Sequence, residues 1–464
     1  MSAAQRRIWH TYRAANIVVS AVNGIYTAYA FIYLKHRLQS AGGASQGVLD
    51  NLLVVIVGSM IFEFFAEPIT GDWADTFGRK RMVVGTYGSI CLAFLAYWMI
   101  SSEVVSQLPA AREVYVIIAL SLLAEVFYAV ASALFNGALD AWFVDELRLV
   151  QGPQGAELLR FFAAQRRWSG IFMVSSGAAS LWIASAVFEQ PPGSATDDGL
   201  TSVAALPWLA AALITAGAAL WAVFRLTEHR VATKTHEPSH RRILQRLKRT
   251  LAQRELRNAL LVSSVIYTCW ICFMYLLPVL LTEPSLIQEA GFLQAILKNY
   301  YWYYLAMGTS RFLGPYLSGR ISGGVQPIVQ FRWWGVLNCG ALALAGGALL
   351  LRGGDGAGLN AVLVPSALVL FWVSKVAEEA FKPVRSTYLN YLIKDGEDRA
   401  FVLSMATPFG AILILFGVGG LAVAQYFVSS LNEVAMSVPL LFGILGVLGS
   451  VTAIKLSWPK RTNS

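Results

Sequence analysis

The stretch that decides the fold is Gly71–Arg81, which reads GDWADTFGRKR and lies between two long apolar runs. Glycines permit close backbone approach in a tight turn between two helices. An acid at Asp75 followed by three basic residues at 79–81 can pair with opposite charges on neighbouring helices at a membrane edge. A simpler alternative is that the basic residues only fix orientation. Either way, the stretch predicts a short inner loop that joins two membrane helices.

Apolar runs recur on both sides of this loop along the whole chain. Of the 464 residues, 56% are hydrophobic and 14% are charged, whereas a soluble protein carries about 25% charged residues. Runs of about 18 to 25 residues suffice for a helix to cross the bilayer. The predicted spans are 14–35, 50–70, 81–101, 114–138, 163–188, 205–226, 257–281, 298–320, 328–351, 358–382, 401–427 and 436–456. The sequence therefore predicts an all-α membrane protein with twelve transmembrane helices.

The distribution of basic residues predicts the orientation of these helices. The net charge is +9, and Lys and Arg are enriched in cytoplasmic loops of membrane proteins. With the N-terminus inside, nearly all of the basic residues fall in inner loops or at inner helix ends. We expect a multi-pass protein of the inner cell membrane with both termini cytoplasmic. The positive charge is thereby explained without nucleic-acid binding.

The longest inner loop divides the chain into two halves. The predicted organisation is a six-helix bundle at 1–226, a basic cytoplasmic linker at 227–256 and a second six-helix bundle at 257–464. Within the linker, Leu244, Leu247 and Leu251 recur at helical spacing among arginines, which favours an amphipathic helix on an anionic membrane surface. Binding of a regulatory partner is the alternative. Two sets of six helices are typical of secondary transporters built from repeats.

The inner loop resembles the signature G-x-L-A-D-R-x-G-R-K of the major facilitator superfamily. The matching residues are Gly71, Ala74, Asp75, Gly78, Arg79 and Lys80. Trp73 stands in place of the usual Leu, and Thr76 in place of the usual basic residue. The resemblance implies two six-helix bundles and transport by alternating access.

The same resemblance implies gating roles for charged residues of the loop. The family residue matching Asp75 faces the start of helix 11, and the one matching Arg79 pairs with an acid at the inner end of helix 4. Asp140 and Asp145 are the acids available for that pairing. In the family these contacts, which we call the latch, close the inner side in the outward-facing state. Gly71 and Gly78 belong to the same gating motif.

A second segment resembles bacterial drug-exporter-like members of the superfamily. It comprises Pro383–Asn390 followed by Arg399–Phe401. Proton-coupled exporters usually also carry an Arg in helix 4 and a G-P-x-x-G-G run in helix 5. Here helix 4 has Glu125 instead, and helix 5 has Ser176–Ser180 without a proline. We expect proton-coupled export of a drug-like or secondary-metabolite compound; the alternative is a proton-coupled importer of an organic metabolite or anion.

Ionisable residues inside the spans are candidates for binding and coupling, because a charge at bilayer depth costs at least about 2.5–3.5 kcal/mol on insertion scales. Glu125 lies near the predicted midplane and has no opposite charge within four residues on its own helix. Lys375, Glu378 and Arg311 lie on later helices, where Lys375 and Arg311 would hold the anion of an importer. The alternative for each of them is a structural ion pair.

The resemblance also implies that helices 1, 4, 7 and 10 line a central cavity. The candidates there are Asn23, Tyr26, Glu125, Tyr267, Trp270 and Glu378. Aromatic walls with few polar groups suit an amphiphilic or aromatic solute. No pattern indicates an enzyme, a metal site or a cofactor. The expected partners are a small-molecule substrate, protons or another coupling ion, and the lipid bilayer around a monomer.

Overall fold

The structure is a computed structural model that describes residues 2–41, 45–135, 138–150, 156–188, 197–228, 240–281, 300–321, 325–351, 357–393, 399–405, 409–410 and 434–457. The helices are α1 (Ala3–Ser40), α2 (Ser45–Phe77), α3 (Arg79–Met99), α4 (Glu103–Ser106), α5 (Ala110–Phe135), α6 (Ala138–Leu149), α7 (Ala156–Phe188), α8 (Asp197–Arg225), α9 (His240–Ala252), α10 (Arg254–Leu281), α11 (Tyr300–Ile321), α12 (Pro327–Leu350), α13 (Ala357–Leu392), α14 (Arg399–Ser404) and α15 (Val434–Ser457). The described part of the chain contains no strand, which confirms the all-α prediction.

Several helix boundaries differ from the predicted spans; α1 already begins at Ala3, and α13 continues to Leu392. The helix α2 continues to Phe77, so the first half of the loop motif is helical. The predicted span 114–138 corresponds to α5, and a separate helix α6 follows it. The predicted span 401–427 lies largely outside the described residues, so the count of twelve stays a prediction.

The surface of these helices is suited to lipid. Large apolar side chains are exposed, including Phe224 at 80% and Trp182 at 70% of their full area. Charged side chains such as Glu125 and Lys375 are instead buried among the helices. In the described residues, four helical stretches are long and apolar enough to cross a membrane. This inversion of the usual pattern identifies a multi-pass membrane protein.

The helices form two compact units. Unit 1 comprises Met1–Gly152, Trp168–Ile243 and Asp395–Ser404. In it, α3 packs on α5 and α8, α2 packs on α5, and α14 packs on α2 and α6. The centre of the unit is aromatic: the buried rings of Tyr97 and Trp208 are stacked, with centroids 4.6 Å apart.

Unit 2 comprises Pro153–Arg167, Leu244–Lys394 and Met405–Ser464. In it, α12 packs on both α13 and α15, and α11 packs on α13. The contact between α12 and α15 depends on glycine, because a Cβ at Gly446 would collide with the backbone of Cys339 and Ala343. Small residues at such contacts let membrane helices approach closely.

Candidate functional site

The loop motif is a single-residue turn. Gly71 and Asp75 belong to the last turns of α2, and the chain reverses only at Gly78, whose φ is 97°. Residues other than glycine rarely adopt that backbone conformation. The prediction of a loop beginning at Gly71 is therefore wrong, because α2 continues as a helix to Phe77. The turn places Arg79 at the first residue of α3.

The side chain of Arg79 connects α3 to α6. Its Nη1 donates to the Asp145 carboxylate in a close ion pair and to the carbonyl of Ala141 at 2.8 Å. Its Nη2 lies 3.5 Å from an oxygen of Asp75. Arg79 is buried, so screening by water weakens these charge-assisted bonds little. Asp145, one of the two acids that the sequence offers, thus forms an ion pair with Arg79.

Two further acids of the gating motif, Asp75 and Asp140, accept hydrogen bonds from other elements of unit 1. Asp75 Oδ2 accepts from the backbone N–H of Phe401 in α14, at 3.2 Å. Asp140 accepts from the hydroxyl of Tyr12 in α1, at 2.7 Å. Asp75 thus contacts α14 on one side and Arg79 on the other.

A residue that the sequence did not single out completes this cluster. Glu228 follows α8, and its carboxylate accepts from the backbone N–H of Arg79 at 2.7 Å and of Lys80 at 3.3 Å. These are two of the N–H groups that a helix leaves without internal partners at its N-terminus. The segment is held by Trp142, whose indole N–H donates to the carbonyl of Thr227 at 2.9 Å. Glu228 is therefore the cap of α3, and a Cβ on Gly78 would lie only 2.7 Å from one of its oxygens.

A second cluster surrounds Glu125 in α5. The Glu125 side chain is buried, with the residue 5% exposed. The hydroxyl of Tyr26 in α1 lies 2.7 Å and 2.8 Å from its two carboxylate oxygens. The hydroxyl of Tyr97 in α3 donates to the first of these oxygens in a short hydrogen bond. Two phenols from two other helices therefore converge on one carboxylate.

The cluster continues toward the more open face of α1. The rings of Tyr26 and Tyr128 are stacked, with centroids 4.0 Å apart and 22° between their planes. The hydroxyl of Tyr128 donates to Oδ1 of Asn23 at 2.6 Å. Asn23, Tyr26 and Tyr128 are all half-buried. The structure thus brings three predicted cavity residues, Asn23, Tyr26 and Glu125, into one hydrogen-bonded and stacked group.

In unit 2, four charged residues of α13 neutralise one another. Lys375 forms a close ion pair with Glu378 and lies 3.3 Å from Glu379. Lys382 lies 2.7 Å from Glu378 and 2.9 Å from Glu379. Arg311 of α11 is half-buried and within electrostatic range of Lys375 and Glu379. These five side chains carry three positive and two negative charges.

The aromatic candidates of α10 are described only in part. Tyr267 is half-buried and lies close to Gly410, where a Cβ would be 2.6 Å from its ring. The side chain of Trp270 lies outside the described residues.

Solved structures similar to this chain are membrane transporters. A bacterial homologue of the iron transporter ferroportin, solved in an outward-facing state with soaked iron, has a TM-score of 0.61 at 16% identity, over 99% of this chain and 100% of that one. The major facilitator superfamily proton:xylose symporter XylE, bound to 6-bromo-6-deoxy-D-glucose, has a TM-score of 0.59 at 11% identity, over 95% of each chain. The chain has the major facilitator fold. The nucleoside transporter NupG is also similar, with a TM-score of 0.56 at 13% identity, over 97% of this chain and 99% of that one.

No family model and no curated protein matches the sequence. The assignment of the major facilitator fold therefore rests on the similarity to solved structures and on the loop motif.

Two residues of the Glu125 cluster in this major facilitator fold could not be predicted from the sequence. Tyr97 and Tyr128 are interior tyrosines on helices rich in aromatic residues, and nothing in their local pattern separates them from core packing. Tyr97 is 28 residues from its partner Glu125, so no helical spacing links the two. In the described part of the chain, no group of three or more His, Cys, Asp or Glu side chains is arranged to hold a metal ion.

Proposed function

We propose that the chain is a secondary active transporter that moves a small organic molecule by alternating access. One observation carries the proposal: a buried carboxylate, Glu125, is held by phenols of α1 and α3 inside a unit of the major facilitator fold. Ionisable residues at such depth mark ion and substrate pathways. The solved structures of the same fold are named as transporters or symporters. These names support a transport activity for this chain.

Glu125 is the proposed carrier of a coupling proton. As a carboxylate it accepts hydrogen bonds from Tyr26 and Tyr97. Protonation would add an O–H donor to one of its oxygens, which favours a redistribution of these hydrogen bonds. Loading of the proton is in this way tied to movement of side chains on neighbouring helices.

The favoured direction is export of a drug-like or secondary-metabolite compound. The stacked pair Tyr26 and Tyr128 offers an aromatic surface beside a carboxylate, which suits an aromatic or cationic solute. The segments Pro383–Asn390 and Arg399–Phe401 resemble drug-exporter-like members of the superfamily.

Proton-coupled import of an organic metabolite or anion is the second candidate. It is favoured by the positive excess of the group formed by Arg311 and the four paired charges of α13. The similar structures also include symporters for xylose and for fucose.

The proposal extends to the setting of the molecule. We place it in the inner cell membrane as a monomer with both termini cytoplasmic. Its coupling ion is a proton or another ion. Its two six-helix bundles, 1–226 and 257–464, are joined by the linker 227–256.

The test begins with a thermal-shift screen of the purified protein against drugs, sugars, nucleosides and organic anions. The compound with the largest shift is then used in proteoliposomes with an imposed pH gradient. Glu125→Gln keeps the shape of the side chain but cannot exchange a proton, so uphill transport should be lost while downhill exchange remains. The matched control is Glu157→Gln, because Glu157 is an exposed acid of the same chain. Wild-type uphill transport by a stable Glu125→Gln protein would remove Glu125 as the carrier.

A further inference from the structure

The two phenols that donate to Glu125 are held with very different firmness. Tyr97 is fully buried, and its ring is stacked on the buried Trp208. The hydroxyl of Tyr33, also fully buried, donates to the backbone carbonyl of Tyr97 at 3.2 Å. A ring enclosed at the density of a protein interior has no space for another rotamer. The hydroxyl of Tyr97 is therefore a fixed donor to Glu125.

Tyr26 is held less firmly and lies on the more open side of the carboxylate. Its side chain is half-buried, whereas Glu125 behind it is 5% exposed. Its single hydroxyl lies between both carboxylate oxygens, at 2.7 Å and 2.8 Å. A hydroxyl has one proton to donate, so this shared geometry gives less than two full hydrogen bonds. The ring rests on Tyr128, which is itself half-buried.

We propose that Tyr26 is a lid over Glu125. With the ring stacked on Tyr128, the lid is closed and the carboxylate is covered; when the ring rotates away, water, a proton or a solute reaches Glu125. Tyr97 stays in place in both arrangements and keeps the carboxylate oriented. The lid gains its role in transport from the proposed function, but access to Glu125 can be measured without transport.

The opening of the lid needs only a side-chain rotation. It breaks the shared hydrogen bond to Glu125, separates the ring from Tyr128 and changes the tilted contact with the ring of Tyr97, whose centroid lies 6.3 Å away. Each of these contacts is of ordinary strength. Tyr26 lies in the interior of α1, and rotation about its side-chain bonds leaves the backbone hydrogen bonds of that helix in place.

The test measures how fast Glu125 reacts with a water-soluble carbodiimide and glycine ethyl ester in the purified full-length protein. The rate at one fixed pH is followed by mass spectrometry. Tyr26→Ala removes the lid, and Glu125 should react roughly tenfold faster than in the wild type. Tyr97→Phe removes the other donor but leaves the lid, so it measures the effect of one lost hydrogen bond alone, and its acceleration should be clearly smaller than that of Tyr26→Ala.

Two controls keep the test decisive. Tyr128→Ala removes the support of the Tyr26 ring and should also accelerate the reaction, which serves if Tyr26→Ala aggregates. Glu63 of α2, which accepts from Ser132 at 2.7 Å, is a half-buried acid in the same sample and should react at an unchanged rate.

Several results would overturn the lid. These are equal acceleration in Tyr97→Phe and Tyr26→Ala, wild-type rates in both Tyr26→Ala and Tyr128→Ala, and a parallel rise at Glu63. The coupling role of Glu125 fails separately: if Glu125→Gln still transports uphill while Tyr26→Ala exposes Glu125, the lid stands and the proposed carrier does not.

Discussion

Gly78 and Glu228 depend on each other at the single turn between α2 and α3. Gly78 adopts a φ of 97° and lies against the carboxylate that caps α3. We expect Gly78→Ala to lower stability by about 1–3 kcal/mol, since it combines backbone strain with a steric contact. Glu228→Ala loses only the cap, at about 1 kcal/mol. Thermal unfolding of the purified variants should therefore rank Gly78→Ala below Glu228→Ala.

The double variant separates the two effects. Because both changes damage the same cap, the combined loss should be smaller than the sum of the single losses. A strictly additive result would show that Glu228 does not cap α3.

Asp75 contacts both α14 and Arg79, and its charge strengthens both contacts. Asp75→Asn keeps the shape but replaces charge-assisted bonds by weaker neutral ones. If the latch operates as in the resembling family, transport should slow roughly tenfold while the amount of inserted protein stays the same. The control is Glu157→Gln, because Glu157 is an exposed acid outside the gating motif. Equal transport by Asp75→Asn and wild type would leave Asp75 as a helix-end anchor.

At the scale of single residues, the sequence indicates which residue types are present but rarely which residues contact one another. The spacing of the loop motif pointed to Asp75 and Arg79, and the structure places both in one cluster with Asp145. Glu228 could not be found, because it is 149 residues from the backbone N–H that it caps. A contact of that length leaves no periodic signal in a single sequence.

At the scale of one element, α13 carries a cluster of four paired charges, Lys375, Glu378, Glu379 and Lys382. Lys375→Met would remove one of the two positive charges that balance Glu378 and Glu379. It should destabilise the protein by about 3–5 kcal/mol. Adding Glu378→Gln removes the excess acid and should recover part of the loss. The matched single change is Lys382→Met, which should cost less because the Lys382 side chain is 24% exposed and that of Lys375 is 4% exposed. Thermal unfolding in detergent measures all three.

The outcome also separates structure from transport at α13. If the double variant Lys375→Met, Glu378→Gln regains stability but not transport, the paired charges of α13 contribute to binding or coupling as well as to folding. Equal stability of Lys375→Met and wild type would contradict the ion pairs.

At the scale of the whole molecule, the orientation in the membrane is open to a direct test. Lys248 of α9 and Arg112 of α5 are both exposed, and positive-inside counting puts them on opposite sides of the membrane. In a background with the four native cysteines replaced by alanine, a thiol at Lys248→Cys should react with an impermeant reagent only after lysis. Arg112→Cys should react in intact cells. The reverse pattern would invert the proposed topology.

The fold as a whole was predictable because membranes leave few options. A chain that must satisfy its backbone hydrogen bonds in lipid forms helices or closed barrels, and runs of about 20 apolar residues select helices. The helix ends were less predictable, as α2 shows by continuing to Phe77. Their positions depend on contacts such as the Glu228 cap, which form only when distant segments meet.

The cap at α3 also determines where the gene could be divided. Glu228 lies just before residues 229–239 of the linker, so a first fragment that ends within the linker keeps both α3 and its cap. A first fragment that stops at Leu226 would lose the cap. The helix α14 belongs to unit 1 but is encoded in the second half. Two co-expressed fragments divided within the linker should therefore complement each other, with the second fragment supplying the backbone partner of Asp75.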